Sequence, residues 1–281
     1  MPTTIIHSSN LGKETQSLLA KSFASDLIDR GEYYLVRHNK PIDHATLNTL
    51  REQISADVNT LPEAFMANQV ALLITDMDST LISIECVDEI ADFLGIKDKV
   101  SEITESAMRG EIDFNTSLQK RVKLLKDLDY SVLEKVYQER LTLNPGAEKL
   151  ISSLQSVGIK TALVSGGFTY FTDRLKERLN LDFTLSNSLE VKDGRLTGAV
   201  TGNIVNGEVK AAFLKQLAEE LDIDLNRTIA AGDGANDLLM MGMAGLGVAY
   251  RAKPKVQQQA DVVLNHAGLD AILHFIDAAK A

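Results

Sequence analysis

The chain has 281 residues, enough for one core domain with an insertion or for two domains. Its net charge of -10, with 44% hydrophobic and 24% charged residues, describes an acidic globular protein. No stretch is basic enough to neutralise a phosphate backbone, so nucleic acid is not an expected partner. The single cysteine, Cys86, excludes an internal disulfide framework and a cysteine-built zinc site. Residues 1–9 have neither a basic start nor a long apolar run, and no window reaches the ~18 apolar residues of a membrane span. The expectation is a cytoplasmic protein with no membrane partner. The five histidines lie outside every motif found below, so zinc and histidine-based nucleophilic catalysis have no support.

In chain order, 4–7 and 33–37 read as short strands, and 14–29 and 44–58 as amphipathic helices. Together they make a small N-terminal α+β segment, 1–68, that carries no catalytic motif. Pro62 breaks the pattern. Residues 70–75 are then a continuous apolar run, as a buried parallel strand requires. Further strands are read at 159–164, 228–231, 246–249 and 261–264. Helical patterns at 168–179, 210–221, 236–243, 253–259 and 269–278 alternate with them. This alternation predicts an α/β fold with a Rossmann-like parallel sheet over 69–281. Asp193-Gly194 between alternating residues predicts a β-ribbon over 189–200. Residues 83–142 are too long for a crossover and contain no strand pattern. They predict a cap of three or four helices, after which Asn144-Pro145-Gly146 restarts the core with a helix over 147–157.

Open parallel sheets bind ligands at the carboxyl ends of their strands. The first core strand is followed by Asp76-Met77-Asp78-Ser79-Thr80, the second by Ser165-Gly166-Gly167, and the third by Gly232-Asp233-Gly234-Ala235-Asn236-Asp237. Lys210 is read as the start of the helix before the third strand. Four clustered carboxylates repel unless a divalent cation sits among them, and magnesium suits a few carboxylates with phosphate oxygens. Aspartates also favour turns, which would explain one such loop. Two of them, each directly after a buried strand, fit that explanation poorly. Ser165 and its glycines let an anion approach the backbone, with a helix N-terminus behind them.

These motifs together resemble the haloacid dehalogenase superfamily of phosphatases. Within it, residues 70–281 are similar to the phosphoserine phosphatase family, on Glu85, Phe114, Arg121 and the run Val164-Ser-Gly-Gly-Phe168. The resemblance implies Asp76 as nucleophile and Asp78 as general acid and base. It implies Mg2+ held by Asp76, Asp233 and the Asp78 main-chain carbonyl, with Asp237 supporting. Ser165, Gly166, Lys210 and Asn236 would bind the phosphoryl group. Glu85, Phe114 and Arg121 would bind the amino-acid part of free O-phosphoserine. The implied activity is hydrolysis through an aspartyl-phosphate, the last step of serine biosynthesis, and a homodimer is compatible with it. Residues 1–69 lie outside the resemblance.

Rival readings are weaker. As a calcium loop, Asp76-x-Asp78-x-Thr80 would need Gly at Leu81 and Glu at Val87. A nucleophile elbow would need Gly at Leu163, and no P-loop pattern exists. There remain a phosphatase or phosphotransferase for another small phosphate ester, and a catalytically silent phosphate-binding protein.

Overall fold

The computed structural model describes residues 1–8, 10–39 and 42–278. Its first elements are β1 (Thr3–His7), α1 (Lys13–Phe23), β2 (Leu27–Asp29), β3 (Tyr34–Arg37), α2 (His44–Ile54) and β4 (Asp57–Thr60). The strands form an antiparallel sheet in the order β2-β3-β1-β4, the split βαβ arrangement. β2 and β4 fall where helices were expected to run on, at the ends of 14–29 and 44–58. Ala24 (φ 47°) and Ser55 (φ 50°) adopt the left-handed conformation and close α1 and α2 before those strands. Glycine usually signals such a stop, and neither position carries it. Ile6 of β1 packs with Leu19 and Phe23 of α1, while its neighbour Ile5 packs into the larger body.

The larger sheet opens with β5 (Leu72–Thr75). Four cap helices follow: α3 (Cys86–Phe93), α4 (Lys97–Met108), α5 (Phe114–Lys123) and α6 (Val132–Glu139). The core resumes with α7 (Ala147–Ser156), β6 (Lys160–Phe168), α8 (Thr169–Leu179), β7 (Phe183–Lys192), β8 (Arg195–Thr201), α9 (Gly207–Glu220) and β9 (Thr228–Gly232). It ends with α10 (Leu238–Met243), β10 (Leu246–Tyr250), α11 (Pro254–Gln257), β11 (Val262–Leu264) and α12 (Ile272–Asp277). The strand order is β11-β10-β9-β5-β6-β7-β8, parallel except for β7 with β8. The α/β class expected from the sequence is therefore the one observed. The ribbon pairs 188–192 with 195–201, within one residue of the expected 189–200, and the first half of β7 continues the sheet beside β6.

β5 is buried on both faces. Leu72 and Ile74 pack with Leu214 of α9 and Met240 of α10, and Leu73 packs with Leu150 of α7 and Phe171 of α8. Each such side chain contributes ~1.5–3 kcal/mol by leaving water. The strand that presents Asp76 is thus among the most firmly fixed parts of the fold.

The cap joins the core through two adjacent segments. Ser83 N–H donates to the Thr142 carbonyl at 2.9 Å, and Asn144 N–H to that of Leu81 at 3.0 Å. The Asn144 amide also donates to the carbonyls of Thr80 at 2.8 Å and Ile82 at 3.0 Å. Entry and exit of the cap are tied to the loop that follows Asp76.

Candidate active site

A cavity of about 820 Å³ lies between the sheet's carboxyl edge and the cap. Asp76, Asp78, Gly166, Asp233 and Asn236 line it from the core, and Glu85, Phe114 and Arg121 from the cap. Ser165, Lys210 and Asp237 are fully buried beneath its floor.

Carboxylate oxygens of Asp76, Asp233 and Asp237 lie within 4.8 Å of one another. Lys210 Nζ donates to Asp76 at 2.5 Å and to Asp237 at 2.7 Å. Thr80 Oγ1 donates to Asp233 at 3.2 Å, and Gly234 N–H to Asp237 at 3.0 Å. Burial works against charge on Lys210, but Asp237 and Asp76 outweigh it and raise its pKa, so it stays an ammonium. Burial pushes Asp76 well above the ordinary carboxylate range; Lys210 pulls it down, and Asp237, Asp233 and Asp78 push it further up. Burial, then Asp237 and Glu85, lift Asp233 to about 7. With Asp78, four carboxyl groups crowd around Lys210, and their mutual repulsion adds to burial in raising the pKa of Asp76 and Asp233. Hard oxygen donors with surplus negative charge fit a divalent cation such as magnesium.

The Asp78 carboxylate lies outside this trio. It accepts the Cys86 N–H at 3.0 Å, at the start of α3. Burial and then Glu85 raise it to about 7, against the hydrogen bonds from Cys86. Its loop turns sharply: Asp78 is extended (φ -65°, ψ 135°) and Ser79 is left-handed (φ 57°). Ser79 Oγ donates to Glu85 at 2.7 Å, joining the loop to the cap.

Two glycines set the opposite wall. A Cβ on Gly166 would meet the Phe114 ring at 2.6 Å, and one on Gly167 would meet the Asp78 carboxylate at 2.8 Å. Only bare backbone fits between cap and acid there. Arg121 comes from α5 and sits in the field of Glu85, Asp88 and Asp78, while burial lowers its pKa. Its Nε is buried without a hydrogen-bond partner, and no carboxylate of the described residues lies in ion-pair range.

All the residues singled out in the sequence meet at this cavity or beneath it, with two differences in placement. Lys210 does not begin its helix: α9 starts at Gly207, capped by Asn206, whose Oδ1 accepts the Val209 N–H at 3.0 Å. Lys210 sits one turn in, which carries its ammonium under the floor. Of the four carboxylates expected together, Asp76, Asp233 and Asp237 cluster, while that of Asp78 turns to the Cys86 N–H instead. Sequence reasoning missed Asn144 and Thr80, which hold the Asp76 loop and Asp233. It also missed Lys253, which lines the cavity near Asp233. Thr80 stands inside the motif and could have been read from it; the other two depend on tertiary adjacency.

Known proteins resemble this chain closely. The family model for haloacid dehalogenase-like hydrolases matches residues 73–242. A phosphoserine phosphatase of Haemophilus influenzae is 52% identical over 225 residues, covering 80% of this chain and 71% of that protein. The unliganded structure of a probable phosphoserine phosphatase from Vibrio cholerae superposes with a TM-score of 0.84 at 38% identity, over 99% of this chain and 87% of that one. A phospho-aspartyl intermediate analogue of phosphoserine phosphatase superposes with a TM-score of 0.70 at 42% identity, over 74% of this chain and 99% of that one. The motif loops, the cavity they build and these likenesses agree that the chain belongs to the haloacid dehalogenase-like hydrolases, in their phosphoserine phosphatase branch, and is a phosphatase.

Proposed function

We propose that this phosphatase hydrolyses free O-phosphoserine to serine and inorganic phosphate through an aspartyl-phosphate on Asp76, with Mg2+ as cofactor, as the last step of serine biosynthesis. The observation that carries the substrate is Arg121. A guanidinium whose Nε is buried and which has no carboxylate partner is costly to keep. Its planar fork matches a carboxylate in two hydrogen bonds. Glu85, in the same cavity, suits the ammonium of the same small molecule. Phe114 closes over Gly166 and limits the space between them.

In the chemistry we infer, an Asp76 oxygen attacks phosphorus and the bond to the serine oxygen breaks. That oxygen takes the proton of the Asp78 carboxyl. An ordinary aspartate with a pKa of ~3.9 would be protonated about once in a thousand at pH 7. At about 7, roughly half of Asp78 carries the proton. A water then attacks the phosphorus of the aspartyl-phosphate and gives its proton to the Asp78 carboxylate. The bond to Asp76 breaks, and phosphate leaves. Ser165, Gly166 and Lys210 hold the phosphoryl oxygens, with Asn236 beside them. Asp76, Asp233 and the Asp78 carbonyl would hold the ion, supported by Asp237. When bound, it neutralises charge between Asp76 and the phosphoryl group. In this reading 69–281 carry the chemistry with 83–142 as the cap, and 1–68 support the fold.

The test is phosphate release from a panel of small phosphorylated metabolites, with and without magnesium. Free phosphoserine should lead the panel. A better sugar phosphate would remove the substrate assignment, and transfer without phosphate release would remove the hydrolytic one.

A further inference from the structure

Asn187 lies in the middle of β7, where asparagine is disfavoured, and is 1% exposed. Its side chain spans two loops. Nδ2 donates to the Gly166 carbonyl at 2.8 Å, and Oδ1 accepts the Val205 N–H at 2.9 Å. The β6–β7 pairing shifts register between Val164 and Phe168, so residues 165–167 stand off the ladder. The Asn187 amide supplies Gly166 with the bond that the ladder does not.

That bond has consequences along the chain. A planar peptide fixes the Gly167 N–H opposite to the Gly166 carbonyl. The Gly167 N–H donates to Ser165 Oγ at 2.8 Å. With its oxygen engaged in this way, Ser165 has its hydroxyl proton left to offer a phosphoryl oxygen. On the other side, Val205 directly precedes Asn206, the cap of α9, one turn before Lys210. One buried amide therefore governs both the serine turn and the approach of the ammonium.

We propose that Asn187 is a positioning residue for phosphoryl recognition, acting through the Gly166–Gly167 peptide on Ser165 and through Val205 on Lys210. This rests on the reading of Ser165 and Lys210 as phosphoryl donors, and concerns the phosphate end of the substrate alone.

The test compares Asn187→Asp and Asn187→Leu with the wild type. Inhibition constants are measured for inorganic phosphate and for L-serine, and turnover on phosphoserine and on an aryl phosphate. Both variants should raise the phosphate constant tenfold or more and leave the serine constant within twofold. Turnover should fall by similar factors on both substrates. Relative to wild type, Asn187→Asp should recover as pH falls, because the introduced carboxyl, once protonated, donates to the Gly166 carbonyl again. A fall in turnover with an unchanged phosphate constant would overturn the proposal, as would serine and phosphate constants rising together. Should Asn187→Leu fail to fold, the isosteric Asn187→Asp decides alone. Should the wild type prefer another ester, the substrate reading falls, while the phosphate constants still judge Asn187.

Discussion

Asn59 bonds both backbone groups of Val263, 204 positions away, donating to its carbonyl and accepting its N–H, each at 2.8 Å. β4 and β11 are edge strands of different sheets. The asparagine amide imitates strand pairing between them and covers edges that would otherwise stay open. Beside it, the buried Asp57 accepts N–H groups of Asn265 and Ala267, each at 2.8 Å. Asn59→Leu should strand a buried donor and a buried acceptor, at roughly 1–3 kcal/mol each. The urea midpoint should drop, while turnover of the folded protein stays within about twofold. An unmoved midpoint would show that these bonds do not hold the sheets together.

His7 gives the same interface a pH dependence. It is buried against His274 and Phe275. Burial and then His274 lower its pKa to about 4, against smaller opposing pulls from Asp57, the Ala271 backbone and Asp270. The unfolded chain, with histidine near ~6.5, binds more protons between pH 4 and 6.5, so stability rises with pH across that window. Acidification from 6.5 to 4 should cost on the order of 3 kcal/mol from this residue. His7→Phe should keep the packing and flatten that part of the stability profile. Parallel profiles for the two proteins would exclude His7 as the source.

How far the sequence went depended on whether a feature is local. Asp76 and Asp233 follow apolar runs directly, so the topology of a parallel sheet brings them together without any coordinates. The cap was legible because its helices keep their period. β2 and β4 were hidden because Ala24 and Ser55 close their helices in a conformation that their side chains do not advertise. The depth of Lys210 follows from Asn206 capping α9, which starts at Gly207, three residues before it. Asn144 and Asn187 act on backbone from distant segments, and no spacing rule reaches them.

The acid–base assignment separates by leaving group. Asp76→Asn should abolish turnover and leave the fold intact; steady-state activity above a hundredth of wild type in fresh protein would sink the nucleophile. Asp78→Asn should slow phosphoserine far more than an activated aryl phosphate, whose leaving group needs no proton. Equal losses on both substrates would count against a general acid at Asp78.

Metal removal tests the surplus negative charge. Chelation should abolish activity, and magnesium should restore it. Magnesium should also raise the Tm, because an ion that binds the folded state stabilises it. Asp233→Asn should lose most of that rise. Full activity in excess chelator after dialysis would refute the requirement. Calcium should inhibit, since its looser coordination can engage both Asp76 oxygens and blunt the attack.

Arg121 tests the substrate. If its guanidinium grips the carboxylate of phosphoserine, Arg121→Ala leaves that carboxylate desolvated and unpaired, at a cost on the order of 2–5 kcal/mol. kcat/KM for phosphoserine should fall roughly 30-fold or more. Arg121→Lys should recover little, because an ammonium cannot supply the two-pronged bond. An aryl phosphate, which has no carboxylate, uses the same Asp76 and should hardly change. Arg121 also stands in the field of Glu85, Asp88 and Asp78. Its loss could therefore lift the Asp78 pKa, and that effect would appear on phosphoserine as a shifted pH profile instead of a uniform fall. Measuring the profile separates the two origins. A drop at every pH, confined to phosphoserine, means that Arg121 reads the carboxylate. Equal losses on both substrates, or none on either, would take away the main residue-level support for phosphoserine.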